Sequence, residues 1–238
     1  MKFCLSLHIF ETKQPALKKG HLFIIVLIAI SFQGCFEVVE QIQLKKDGSG
    51  SFQLTFNLSQ SKAKINSMLK LQTVNGHPVP TKDAITARIK GVENTIAKTE
   101  GISNVKTSID FDNYIFVISY DFTSVAQLNK SIKNIKQKEN LSGAMLDDNY
   151  AYDAKSKIFQ RKNKVDLKAL YAKMSNADKE VFSGANYTCI YKFEAPVIAA
   201  TNKDSKIAAN KKAVLLRETT LDLLTEKKSI ENKINIAQ

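Results

Sequence analysis

Val38-Val39-Glu40-Gln41-Ile42-Gln43-Leu44 runs into Lys45-Lys46-Asp47-Gly48-Ser49-Gly50 and out again through Ser51-Phe52-Gln53-Leu54-Thr55-Phe56-Asn57-Leu58. Val38, Glu40, Ile42 and Leu44 alternate with Val39, Gln41 and Gln43, and Phe52, Leu54, Phe56 and Leu58 alternate with Gln53, Thr55 and Asn57. A period of two on both sides of an Asp-Gly turn predicts an antiparallel hairpin with one apolar face. Asp47 reads as a turn residue. The further acids at alternate positions and the closing Glu that a calcium loop needs are missing.

Outward from the hairpin, helical and strand patterns follow one another. Ser59 is placed to cap a helix carrying Ile65, Met68, Leu69 and Gln72, and Gly and Pro at 76–80 break the chain. Thr81 caps the next helix, whose face is Ile85, Ile89, Val92 and Ile96, and Gly101 stops it. Residues 105–109 predict a strand, and 110–113 turn it. Residues 114–122 predict the most apolar strand, with Tyr114, Phe116, Ile118, Tyr120 and Phe122 on one face and Ile115 and Val117 on the other. Such a strand is expected to be central and covered on both sides. Val125, Leu128, Ile132 and Ile135 mark a helix. A second hairpin is predicted at 149–160, turning at 153–157. A short helix carries Leu167, Leu170, Tyr171 and Met174.

The last part reads as a strand over 185–194, ended by Pro196. Shorter strands at 197–200 and 213–216 flank a polar turn at 202–205. A helical turn at 221–224 and a closing strand over 230–236 complete it. Strands joined by short connections point to an antiparallel sheet with helices packed on one face, an α+β class.

The N-terminus reads as an address. Lys18 and Lys19 precede an apolar run from Leu22 to Phe32, too short to span a bilayer comfortably, and Phe32-Gln33-Gly34-Cys35 follows. This resembles a lipobox of the relaxed Bacteroidetes type. Gly34 is the small residue before cleavage, and Cys35 is the thiol that takes the diacylglycerol. The expectation is a lipoprotein signal peptide over 1–34 and a single domain over 35–238. An uncleaved N-terminal anchor is the alternative.

The chain of 238 residues is 44% hydrophobic and 24% charged, with three cysteines and no Trp, which excludes a disulfide scaffold and a collagenous chain. Residues 35–238 carry 31 Lys and Arg against 22 Asp and Glu, a net +9 spread along the chain. The bland reading is a solvated surface, and the functional one is attraction to anionic headgroups. No nucleic-acid motif occurs, and nucleic acid is not an expected partner.

Catalytic chemistry is sparse. His77 is the sole histidine after Cys35, in a Gly/Pro loop with no nucleophile motif beside it. Cys189 lies mid-strand among aromatics and reads as a buried apolar residue. Asp110, Asp112, Asp147 and Asp148 read as turn residues rather than a glycosidase pair. No phosphate loop and no metal-spaced Cys/His cluster occurs, so no cofactor and no metal are expected. What remains is aromatic residues on strands. Either they fill a packed core, or they line a cavity between a curved sheet and a helix across its mouth. On the second reading Phe116, Tyr114, Tyr120 and Tyr191 are the candidate ligand-binding residues.

Cys35 followed by a strand, Asp47-Gly48-Ser49-Gly50, an alternating strand, and late in the chain a strand ending in Pro196, resembles the LppM-like envelope lipoproteins and Bacteroidetes lipoproteins of similar layout. The resemblance implies an α+β domain of helix-grip type and an association with envelope glycolipids. The missing Trp and the lysines Lys227, Lys228 and Lys233 in the tail depart from that family. The expected function is a non-enzymatic lipoprotein, held on the envelope, on the outer membrane, by its N-terminal lipid. There it binds an apolar or lipid ligand or an envelope protein. The alternative is a structural or assembly component with a solid core, and an enzyme comes third.

Overall fold

The computed structural model describes residues 36–139, 149–163 and 167–237. The leader expected over 1–34, Cys35, Asp147 and Asp148 lie outside the described residues. In chain order the first elements are β1 (Glu37–Leu44), β2 (Gly50–Asn57), α1 (Lys62–Met68), β3 (Thr73–Val74), β4 (His77–Pro78), α2 (Lys82–Ala97), β5 (Ile102–Asp110), β6 (Ile115–Phe122) and α3 (Val125–Lys138). Then come β7 (Tyr150–Asp153), β8 (Ile158–Arg161), α4 (Leu167–Ala172), α5 (Asn176–Glu180), β9 (Asn186–Phe193), β10 (Val197–Ala200), β11 (Lys206–Ile207), β12 (Ala213–Thr219), α6 (Thr220–Leu224) and β13 (Asn232–Ile236). This is an α+β fold with mostly antiparallel sheets and helices packed against them, as the pattern predicts.

Local chemistry accounts for the element ends. Asp47 Oδ1 accepts from the Ser49 N–H at 2.9 Å and from its hydroxyl at 2.7 Å. Gly48 sits at φ +87, where a side chain is strained. Thr81 Oγ1 caps α2 by accepting from the Ala84 N–H at 3.1 Å, and Ser124 Oγ caps α3 from Gln127 at 3.3 Å. α2 ends at Ala97 with Lys98 as its C-cap, earlier than the expected stop at Gly101, which sits at φ +75 in the turn that leads into β5. Ser59 makes no side-chain cap. Its N–H instead donates to Asn57 Oδ1, and α1 starts two residues later than the capping reading places it.

A single antiparallel sheet is not what forms. A seven-stranded sheet runs β11-β12-β9-β1-β2-β6-β5, and a four-stranded sheet runs β10-β13-β8-β7. A ribbon of β3 and β4 stands apart from both. β1 pairs with β9 in parallel, so strands far apart in sequence are neighbours. Parallel neighbours need a long crossover, and everything from β2 to α5 supplies it. The strands around the 202–205 turn also part company. β10 pairs with β13, while β12 takes the place beside β9. Pro196 has no N–H to continue the β9 ladder, and the Val197 N–H turns to the carbonyl of Lys211.

β6 is second from the edge rather than central. Its outward neighbours are polar: Gln53 stands opposite Ser119, and Ser119 opposite Lys106. Among the described residues, the face that carries Ile115 and Val117 is half-buried rather than covered as expected. Tyr114 does not join the Phe116 face. It precedes β6 at φ +54, is buried, and donates its hydroxyl to Asn66 Oδ1.

The large sheet buries one face. Its inward rows follow from the register: Ile42 stands beside Phe52 and Tyr191, and Phe52 beside Tyr120. Over β9 and β12 the cover is the four-stranded sheet, with Phe159 wholly buried against Tyr191 at 5.1 Å and Phe193 at 5.7 Å between ring centres. Over β5 and β6 the cover is α2 and α3.

Candidate ligand cavity

Period-two and period-3.6 stripes face one another in the helix-covered half. β2 presents Phe52, Leu54 and Phe56, and β6 presents their register partners Tyr120, Ile118 and Phe116. α2 presents Ile85, Ile89, Val92 and Ile96, and α3 presents Ile132 and Ile135. These side chains do not meet along their whole length. They enclose a cavity of about 480 Å³, within the size of small-molecule and lipid sites, roughly 300–1,000 Å³.

The helices are tied to each other and to the sheet edge. Arg88 Nε donates to Glu139 Oε2 at 2.7 Å, and Lys138 Nζ donates to the Gly91 carbonyl at 2.8 Å, joining α2 to the end of α3. Glu93 accepts from Thr107 of β5 at 2.5 Å and from Lys90 at 2.8 Å. Anchored to β5 and to each other, the helices leave β2 uncovered by backbone, and the space above it is the cavity. Ile96, Tyr120, Phe52 and Ile132 at its inner end are buried. At the other end Phe56 is 42% exposed and Phe116 and Ile85 are half-buried, so this is the mouth.

Toward β1 the lining turns polar. Glu40, buried, accepts from Arg161 Nε at 3.1 Å and Nη2 at 3.2 Å. It also accepts from the hydroxyls of Tyr187 at 2.6 Å and Tyr191 at 2.7 Å. Arg161 Nη1 donates to the Lys162 carbonyl at 2.6 Å, and its guanidinium lies 4.9 Å from the Tyr150 ring centre. Burial pushes the Glu40 carboxyl up. The Arg161 charge and the two tyrosine hydroxyls outweigh that and hold it below the ordinary carboxylate range. Burial, with Glu40 nearby, pushes the Tyr187 hydroxyl well up. Four donors reach the carboxylate, and the guanidinium is spent on it. The inner polar wall is therefore neutral overall and keeps no spare cation for an anionic ligand head.

The four candidate binding residues separate. Phe116 and Tyr120 line the cavity, and Tyr120 holds its hydroxyl against Ser131 Oγ at 2.9 Å. Tyr114 is outside the lining, on Asn66, and Tyr191 lies behind it, on Glu40. Cys35 is outside the described residues. Glu40 and Arg161 went unread as a pair. The available signal was a charge in phase with Ile42 and Leu44 on one strand, and an opposite charge two residues after Phe159 on another.

The other polar candidates stand elsewhere. Cys189 is wholly buried, and burial pushes its thiol far up. His77 is exposed on β4, its Nε2 3.8 Å from Asp178 Oδ1. Asp110 Oδ1 accepts from the backbone of Asp112 at 2.8 Å and of Asn113 at 2.9 Å, which is turn chemistry. Among the described residues no group of three His, Cys, Asp or Glu could hold a metal ion.

No family model matches the chain, and no curated protein matches it. Among solved structures, the NMR structure of the folded domain of LppM from Mycobacterium tuberculosis is similar. It is 14% identical, over 87% of this chain and 93% of that one, with a TM-score of 0.46. The likeness is to LppM, and the Bacteroidetes-type layout stays an expectation from the lipobox. A TM-score of 0.46 carries no functional argument. The cavity's own chemistry must supply it.

Proposed function

We propose that this chain is a non-enzymatic lipoprotein of the bacterial envelope, anchored through Cys35, that holds an apolar or lipid ligand between its sheet and helices. The observation that carries this reading is the cavity: about 480 Å³, walled by aliphatic and aromatic side chains from four elements, with a graded exposure that gives it an inside and a mouth. A solid-core component has no need of such a space, since interiors ordinarily pack to crystal-like density. The neutral inner wall suits the tail of an amphiphile, whose head would stay at the mouth. The Gly34-Cys35 site at the end of an apolar run supports the anchor, and placement on the outer membrane belongs to the same proposal.

Titration of the delipidated full chain with a fluorescent fatty acid tests the cavity. Saturable binding that unlabelled phospholipid displaces is the expected result. Its absence leaves the structural or assembly reading. For the anchor, Cys35→Ala is expected to release the protein from membranes or stall the precursor, because two acyl chains bind at ~0.8 kcal/mol per buried CH₂. An unchanged mass and normal membrane retention in that variant remove the anchor from the proposal.

A further inference from the structure

The mouth of the cavity and the entry of the chain lie at the same end of the large sheet. Phe36 leads into β1, its carbonyl accepts from the Asn186 N–H at the start of β9, and its ring meets Phe182 at 6.1 Å. Glu37 pairs with Asn57, the last residue of β2, one residue beyond Phe56 at the mouth. α2 is antiparallel to β5, which starts opposite Phe122, so the N-terminal turn of α2, with Ile85, comes to this end as well.

The loops gathered there carry a consistent surface. Leu71, after α1, is 54% exposed, and Val181, after α5, is 45% exposed. His77 in the ribbon beside Leu71 reaches Asp178 of α5 at 3.8 Å, which brings the two loops together. Lys62, Lys64, Lys70 and Lys82 are exposed around them, and the acids on the same loops are Asp83, Asp178 and Glu180. α1 itself buries no residue. Exposed aliphatic tips among lysines complement an anionic bilayer: the tips enter the headgroup layer, and the lysines sit in its negative potential.

We infer that this end of the domain docks on an anionic bilayer surface, with Leu71 and Val181 at the headgroups and the cavity mouth facing the lipid. The inference rests on the lipid-carrier reading. It adds that the ligand is a component of that bilayer, one that passes between membrane and cavity without crossing water. It also agrees with the anchor, because Cys35 is one peptide bond upstream of Phe36.

The test places an environment-sensitive fluorophore on Leu71→Cys, Val181→Cys or Ile198→Cys in the membrane-purified chain. Ile198, 67% exposed on β10 of the four-stranded sheet, just after the far end of β9, is the control. The vesicles are phosphatidylcholine with phosphatidylglycerol, containing spin-labelled lipid. Quenching at 71 and 181 but not at 198 is expected. Replacing the phosphatidylglycerol with phosphatidylcholine is expected to weaken vesicle binding of the unacylated Cys35→Ala chain about tenfold. Absence of quenching at 71 and 181 overturns the docking, as does equal quenching at 198 or indifference to anionic lipid. The intact mass of the chain and the fatty-acid titration report separately on anchor and cavity, so a failed carrier reading is told apart from failed docking.

Discussion

One sheet carries two kinds of cover in this protein. Over β9 and β12 a second sheet lies flat, and the rings of Phe159, Tyr191 and Phe193 fill the gap. Over β2 and β6 two helices stand on the β5 side, and Phe56 and Phe116 face space. Both halves are built from the same alternation of apolar and polar residues. Large rings from two twisted sheets interlock at close range. The helices, tied by Arg88–Glu139 and by Glu93–Thr107, stand beside β5, and their aliphatic stripe does not close on β2. A hydrophobic pattern therefore says that a face wants cover. It does not say how close the cover comes.

The sharpest test of that contrast is Phe159→Ala. Removing a wholly buried ring from the packed half should cost about 4–5 kcal/mol in chemical denaturation, since three neighbouring rings cannot collapse into the void. A loss near 1 kcal/mol would mean the two halves pack alike.

At the border between the halves, Glu40→Gln should cost about 3 kcal/mol by leaving the Arg161 guanidinium buried without its counter-charge. The pH dependence has a definite sign. The Glu40 carboxyl is held below its ordinary value in the folded protein. Its contribution is thus complete above the unfolded carboxyl range of about 4.3, and it drains away as pH falls toward the folded value. The variant should show a flatter decline in acid than the parent. An equally steep decline would place the acid sensitivity on other groups.

Two turns set the covers. Gly48→Val strains the β1–β2 turn, where an added Cβ would also come 3.2 Å from Tyr152 of the small sheet. Gly101→Ala would bring its Cβ to 2.5 Å from Thr123 Oγ1 and disturb the seat of α2. Each should lower stability by about 1–2 kcal/mol. Only the second should also alter fatty-acid uptake, because only it moves a cavity wall. If both change uptake equally, the halves are coupled.

The smallest stability effect belongs to Phe116→Ala, about 1 kcal/mol or less in the empty protein, since the ring is half-buried against existing space. Uptake of the fluorescent fatty acid should weaken in the same variant. A loss as large as that of Phe159→Ala would close the cavity reading.

Much of this was legible along the chain. The alternation at 38–58, the Asp-Gly turn and Thr81 act within a few residues of themselves, through backbone dihedrals and capping hydrogen bonds. Strands and helices consequently stand close to where the pattern puts them. Phe116 and Tyr120, on the face that period two assigns them, line the cavity. Tyr114 escaped the pattern because one residue at positive φ turns it off the strand. The alternation of apolar residues is blind to such a step until the backbone is seen.

By itself the sequence determined the elements, their apolar faces and the α+β class. Tertiary structure alone decided the parallel β1–β9 pairing, the departure of β10 to a second sheet, and the meeting of Glu40 with Arg161 across 121 positions. It also decided that α2 stops short of β2. Periodicity records which side of an element avoids water. Which partner arrives, and at what distance, depends on ring sizes and polar contacts supplied by distant parts of the chain.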